Sequence, residues 1–356
     1  MSGNEATFYT VSNSRYFLGT VALLNSLRLT GNQGPLVVLD AGLSSLQRDR
    51  LSRHCKIAEL PVEVETNPAI LAPFPYCLGA TGTVVIVDSD IIVTQFLGPI
   101  LMEAERGRIC AVPDPHDIRR HDEWQELFEL EGRPRHQTYV NSGFLAFSVW
   151  HWPRLLERWW QVCQRISSER LACGRVASSH PKVVVADGPP RHGNWLTDPV
   201  TGSGDQDALN ALLMTEFPLE ALSLVPSEVE VFASHLVQAR IVDRRTLACT
   251  FRGRRTLLLH YNGRPKPWES AAWAQVRRNP YVSLLPRVLL GKGVALRLER
   301  RDLPVWLTGG VRGRIAITIL DLLHVVFAAV LDRMPVGLSQ RVRQALHRLV
   351  AIYSRS

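Results

Sequence analysis

Apolar positions in the first third of the chain come in short unbroken runs. "TFYTV" (Thr7–Val11), "LVVLD" (Leu36–Asp40), "TVVIV" (Thr83–Val87) and "ICAVP" (Ile109–Pro113) each have strand length. Between the first two, the stretch from Tyr16 to about Leu29 places Phe17, Val21, Leu24 and Leu27 at helical spacing. After the second, "SSLQRDRLSRH" opens with Ser44 and Gln47, the pair that can satisfy free N–H groups at a helix start. Strands apolar on both faces, alternating with helices, predict an α/β fold: a largely parallel sheet covered by helices on both sides.

The middle of the chain is less regular. Residues 114–139 are polar and charged and read as a lid or binding loop. "NSGFLAFSVW" (Asn141–Trp150) returns to strand character, and "WPRLLERWWQVCQRI" predicts a helix with Pro153 in its first turn. A Gly/Pro-rich loop, Asp187–Gly204, leads to a helix at "DQDALNALL", and a last apolar strand, "TLLLH" (Thr256–His260), runs into "YNGRPKPW". There is no internal repeat.

Charge divides the chain differently from hydropathy. The net charge is +8, and residues 286–356 carry 12 Arg+Lys against 4 Asp+Glu, so residues 1–285 sum to zero. A nucleic-acid role for the main body therefore has no charge argument behind it. The division predicts a domain over 1–285 and a basic C-terminal extension over 286–356. Within the extension, Ile315–Leu331 and Gly337–Tyr353 have apolar helical faces. Such segments pack on the domain or on a second copy of the chain, or lie in a membrane interface. The excess of arginine favours the membrane surface.

Six scattered cysteines without a CxxC pair read as reduced core residues. The N-terminus shows no signal-peptide pattern, and no run of 18 apolar residues spans a bilayer. These features predict a cytoplasmic protein, peripheral on the inner face of the membrane.

Candidate chemistry begins at "VVIVDSDIIV", where Asp88 and Asp90 follow an apolar run. A buried carboxylate needs a cation or donors nearby. In open α/β sheets ligands bind beyond the carboxyl ends of the strands. Two Asp at that place can present oxygens to one hard cation, Mn2+ or Mg2+, with phosphate oxygens completing the shell. In "HYNGRPKPW", His260 ends a strand and offers an imidazole nitrogen to the same metal. Gly263 permits close backbone approach, and Lys266 supplies a point charge suited to phosphate.

Taken in order, "TVSNSRYFLG", "LVVLDAGLS", "VDSD", "AVPD", "NSGFLAFS", "GDQDALN" and "HYNGRPKPW" resemble the retaining glycosyltransferases of family 8, such as glycogenin and the galactosyltransferases of lipooligosaccharide synthesis. The match runs from about Thr7 to Trp268. The resemblance implies a GT-A fold, in which a Rossmann-like sheet binds a nucleotide-sugar. It also implies transfer of a hexose from a UDP-sugar to a glycan or lipid-linked acceptor. Asp88, Asp90 and His260 would be the metal ligands. Tyr16 would lie against the uracil, with Thr10 and Asn13 near the base. Gly263 and Lys266 would hold the diphosphate, Asp114 and Asn141 would touch the donor sugar, and Asp205 and Gln206 would lie beside the anomeric carbon. Asp205 is equally suited to cap the helix it opens. Bacterial members acting on lipid-linked acceptors have basic, apolar C-terminal extensions, in keeping with the tail.

One departure concerns the segment before the paired Asp. Family members have a Lys or Arg there, whereas Ala69–Gly82 contains neither. That keeps a non-catalytic nucleotide-sugar-binding protein among the readings. A haloacid-dehalogenase-type phosphohydrolase would use Asp88 as nucleophile and Asp90 as acid. Against it, the pair lies far from the chain start, and position 92 is Ile rather than Thr or Val. A nucleotidyltransferase would need a glycine-rich phosphate loop after the first strand, and none follows it.

Overall fold

A computed structural model describes residues 6–60, 68–114, 120–176, 204–226, 229–233, 235–263, 265–269 and 279–307. The expected loop over 187–203 and both helical stretches of the tail, Ile315–Leu331 and Gly337–Tyr353, lie outside the described residues.

The elements in order are β1 (Thr7–Ser12), α1 (Phe17–Leu29), β2 (Leu36–Asp40), α2 (Ser45–Ser52), β3 (Lys56–Glu59), β4 (Thr83–Val87) and β5 (Ile91–Val93). They are followed by α3 (Gly98–Glu105), β6 (Ile109–Pro113), α4 (Trp124–Leu127), β7 (Val140–Ser148), α5 (Pro153–Val176), α6 (Asp205–Leu213) and β8 (Leu222–Leu224). The rest are β9 (Glu230–Phe232), β10 (Arg240–Asp243), β11 (Ala248–Phe251), β12 (Arg254–Thr256), β13 (Leu258–His260) and α7 (Pro280–Leu290).

Seven strands form the main sheet in the order β3-β2-β1-β4-β7-β6-β8. The strand period of two sorts its side chains onto two cores. Phe8, Val38, Val85, Val87, Phe144 and Ala146 face α1, α3 and α7. Their chain neighbours Tyr9, Val37, Leu39, Val84, Ile86, Leu145 and Phe147 face α5 and α6. This is why the runs are apolar throughout. The expected capping box forms at α2, where Gln47 N donates to Ser44 Oγ and Ser44 N to Gln47 Oε1.

β7 departs from the parallel pattern, running antiparallel to both β4 and β6. The start of β7 therefore lies beside the carboxyl ends of its neighbours. Among the described residues there are two further sheets of three strands, β5-β13-β9 and β10-β11-β12. Cys55, Cys77, Cys110, Cys163 and Cys249 are free thiols. No helix among the described residues is long and apolar enough to cross a membrane.

The point between 285 and 286, where charge divides the sequence, falls inside α7. Leu284, Leu285, Val288 and Leu289 of that helix are buried against α1, and Leu296, Leu298, Leu303 and Leu307 extend the same core. Asn25, fully buried in α1, ties this segment down. Its amide donates to Val288 O (2.6 Å) and Leu296 O (2.7 Å) and accepts from Leu296 N (2.8 Å). A sum of charges does not report where a core ends.

Asn25→Ala strands three buried backbone groups, each costing about 1–3 kcal/mol when left unpaired. We expect a clear fall in the urea midpoint at unchanged slope, and an unmoved midpoint would show that Asn25 does not anchor the segment. Truncation after residue 285 should abolish the cooperative thermal transition.

Candidate active site

The chain turns sharply where β4 ends. Asp88 N donates to Gly143 O of β7 (2.8 Å), and Ile91 N closes the turn onto Asp88 O (3.2 Å). Helix α1 packs against this turn so closely that a Cβ at Gly19 would lie 2.5 Å from Ser89 O. The Asp88 side chain is half exposed, whereas Asp90 is 5% exposed as a residue.

β13 runs antiparallel to β5 and sets His260 opposite Ile91, so its imidazole reaches both carboxylates. Nε2 lies 3.2 Å from Asp90 Oδ1 and 3.4 Å from Asp88 Oδ2, without hydrogen-bond geometry to either. One ligand atom from each of Asp88, Asp90 and His260 lies within 4.8 Å of the others. The structure thus brings together the three expected metal ligands.

Glu230 was not foreseen. Its Oε1 takes the other ring nitrogen, Nδ1, at 2.6 Å, and both residues are buried. A carboxylate on Nδ1 selects the tautomer whose Nε2 lone pair is free for a metal. An acid inside the short run "EVF" was the one signal for it in sequence, and such acids are common on exposed strand faces.

Gly143 keeps the space between these groups open. A Cβ there would lie 2.5 Å from His260 Cε1, 2.7 Å from Asn141 Oδ1 and 2.8 Å from Asp88 Oδ2. Two carboxylates and an imidazole, one nitrogen of it buried and without a hydrogen bond, suit a small hard or borderline cation such as Mn2+ or Mg2+. The residues fit the group.

Lys266 is buried as well, at 2% exposure. Its Nζ donates to Asp90 Oδ2 (2.5 Å) and Tyr261 O (2.7 Å) and sits 5.3 Å from the centre of the Tyr16 ring. Burial alone would raise the pKa of Asp90, but Lys266 and His260 outweigh it and hold the carboxyl below its usual range. Burial likewise opposes the charged His260, and Asp90, with Asp88 and Glu230, more than reverses that, so the imidazole pKa lies well above its ordinary value. Burial, followed by the charge of Asp88, pushes the Asp205 carboxyl well above its ordinary value.

A second cluster adjoins the first. At the start of β7, Asn141 Nδ2 donates to Gln206 Oε1 (2.8 Å) and to Asp114 Oδ2 (3.2 Å). Gln206 Oε1 also accepts from Ser142 N (3.2 Å), and its amide donates to Asp114 Oδ2 (3.1 Å). Ser142 Oγ donates to Asp205 Oδ1 (3.0 Å). The capping alternative for Asp205 does not hold. Gly204 occupies the N-cap position, and Asp205 is the first residue of α6.

The remaining expected residues are spread along the same edge. Tyr16 stands at the start of α1, half-buried and edge-on to Trp268 with ring centres 6.4 Å apart. Asn13 accepts from Arg15 N (3.0 Å) and Tyr16 N (3.3 Å), which turns the chain into α1. Thr10 is buried in β1, and its hydroxyl has no hydrogen-bond partner among the described residues. It lines a narrow cleft with Ala72, Phe74, Asp88 and Asp205. A Cβ at Gly263 would meet Ala233 at an ordinary 3.4 Å, so the protein itself does not demand glycine there. The segment without Lys or Arg folds as two tight turns, Pro68–Ile70 and Phe74–Leu78, that bury Ile70, Leu71 and Phe74.

Among solved structures, the galactosyltransferase LgtC, determined with donor and acceptor sugar analogs, superposes with a TM-score of 0.50. It is 15% identical over 83% of this chain and 99% of its own. The fold is that of a glycosyltransferase. Alignment to the bifunctional glycosyltransferase WbbM is weaker, with a TM-score of 0.47 and 15% identity over 83% of this chain and 51% of that one. No protein-family model matches the sequence, and no curated protein matches it. Similarity at this identity fixes the GT-A architecture, and the chemistry has to be argued from the side chains.

Two substitutions separate cavity from conformation at the glycines. Gly143→Ala should abolish Mn2+-dependent stabilisation in a thermal shift while circular dichroism stays native, and Gly263→Ala should melt like wild type. Glu230→Gln should weaken Mn2+ binding by about 10–100-fold, the usual cost of losing a partner behind a metal-bound imidazole. Unchanged metal affinity in both Gly143→Ala and Glu230→Gln would remove the metal site from the structure's account.

Proposed function

We propose that the protein is a metal-dependent retaining glycosyltransferase that moves a hexose from a UDP-sugar to a glycan or lipid-linked acceptor. The observation that carries this reading is the meeting of Asp88, Asp90 and His260 at the carboxyl edge of a GT-A sheet. The three leave coordination positions for a diphosphate, and a divalent ion held there would neutralise the charge of the leaving UDP.

The chain's own residues supply the rest. Tyr16, Thr10 and Asn13 lie along the end of β1, where the base and ribose would bind. Lys266 would face the diphosphate from a position already fixed by Asp90 and Tyr261 O. Asp114 and Asn141 offer polar atoms to sugar hydroxyls. The Gln206 amide is held by three hydrogen bonds and so is oriented before any donor arrives. That is the kind of preorganisation that stabilises a developing oxocarbenium charge. Asp205 lies next to it on the side of Asp88. The basic tail is read as facing anionic lipid on the inner side of the membrane, or as packing on a second copy of the chain.

The phosphohydrolase alternative is disfavoured by the surroundings of Asp88. Its neighbours are an imidazole and a second carboxylate at the carboxyl edge of a GT-A sheet.

Calorimetry should find little UDP affinity in EDTA and recovery on adding Mn2+ or Mg2+, with Asp90→Asn failing to recover. Equal affinity with and without metal would end the metal-bridge reading. Gln206→Ala should keep UDP binding and lose turnover. NMR of the first product should show the donor's anomeric configuration, and an inverted product would overturn the retaining assignment.

A further inference from the structure

The zero charge of residues 1–285 conceals an uneven distribution. Between Arg240 and Arg255 the sequence has six arginines and one aspartate, a net charge of +5. The fold gathers all six, exposed, onto the β10-β11-β12 sheet and its turns. The register sets Arg240, Thr250 and Arg255 side by side across the three strands. Residues paired in this way point to one face. The alternate positions Cys249 and Phe251 are buried in the core beneath. The outer face thus carries Arg240 and Arg255, with Arg244 and Arg245 in the turn at its end, and Val242 stands beside them, 67% exposed, at the bulge between Ile241 and Asp243.

Part of this charge is used within the fold. Arg244 donates to Ser283 O of α7 (2.7 Å), and Arg252 lies over the Phe251 ring at 5.0 Å. Asp243 accepts from Arg245 N and Thr246 Oγ1. Among the described residues, none of Arg240, Arg245 and Arg255 forms a salt bridge. The arginines continue into the C-terminal segment, where Arg287 Nη2 donates to Arg245 O (3.3 Å) and Nη1 to Lys292 O (3.1 Å).

We propose that the outer face of β10-β11-β12 docks on an anionic lipid surface. Each Lys or Arg held beside an anionic leaflet adds to the attraction, whatever the geometry of its head group. A flat array suits a surface better than a groove-bound strand, and an exposed aliphatic among the charges can enter the headgroup layer. Nucleic acid is the poorer fit, because single strands bind through aromatic stacking platforms, and Phe251, the one aromatic between Arg240 and Arg255, is buried.

The test is co-sedimentation of the full-length chain with vesicles of mixed phosphatidylglycerol and phosphatidylcholine, and of phosphatidylcholine alone. Wild type should bind the anionic vesicles, less so as salt screens the surface. The variant carrying Arg240→Gln, Arg245→Gln and Arg255→Gln should lose roughly fivefold in partitioning per arginine, or about a hundredfold in all. It should still bind UDP, since among the described residues none of the three side chains has a hydrogen bond or salt bridge to a candidate-site residue. The tail is present in every variant, so its contribution cancels. The matching triple Arg→Lys variant should bind like wild type. Equal partitioning of the Gln variant and wild type would overturn the proposal, as would loss of binding in the Lys variant. Binding of wild type to a labelled single-stranded oligonucleotide but not to vesicles would reassign the face and overturn it too.

Discussion

The burial of Asp90 organises everything around it. A carboxylate at 5% exposure needs positive charge in contact, and Lys266 and His260 supply it from parts of the chain far away in sequence. Each of them needs support in turn. Lys266 is held by Tyr261 O and the Tyr16 ring, and His260 by Glu230. One buried charge therefore ties together the turn after β4, the end of β13, the start of β9, the 265–269 loop and the first turn of α1. Breaking such a pair from one side typically costs about 3–5 kcal/mol, because the other charge stays buried. Lys266 accordingly belongs to the fold as much as to the proposed donor site, and its loss would lower stability.

The antiparallel course of β7 is the second requirement. Val112 pairs with Asn141 and Val87 with Phe144, so the segment Asn141–Gly143 lies between the ends of β4 and β6. Had β7 run parallel, these residues would be at the opposite edge of the sheet. Reversal of one strand converts a stretch that reads as ordinary core into the wall between the Asp88, Asp90 and His260 group and the Asp114, Asn141 and Gln206 cluster. Gly143 marks where that wall has to be thin.

The fold was legible in the sequence wherever a residue's role follows from its local pattern. β2, β4, β6 and α6 have the expected boundaries, and the capping box at α2 forms as its residues imply. β7's direction was not legible, because a strand apolar on both faces looks the same whichever way it runs. Asp88, Asp90 and His260 were recognisable as candidate ligands from motifs, yet their meeting depends on the β5–β13 pairing, which three-residue strands do not announce. Glu230 has no motif at all and is defined only by the ring nitrogen it touches. The core continues beyond residue 285, where Leu289, Leu296 and Leu303 are as buried as residues before the charge divide, because net charge carries no information about packing.

The reason is general. Net charge is a sum over residues, and a sum of zero is equally compatible with an even mixture and with segregated patches of opposite sign. What a partner meets is the local field, which fades over about 8 Å at physiological ionic strength. On this scale the +5 stretch from Arg240 to Arg255 is invisible to the acidic cluster around Asp88 only if the two are well separated through solvent. The sequence supplies the means for that separation: β12 and β13 follow each other directly, one exposing Arg254 and Arg255 to solvent and the other burying His260 among carboxylates. A switch from solvent-facing arginine to buried histidine within six residues lets one segment carry a basic surface on one side and complete an acidic site on the other. Leu257, Leu258 and Leu259 lie between them, and it is the length of chain and the solvent around the exposed arginines, rather than the apolar filling, that weaken the coupling of surface charge to site charge.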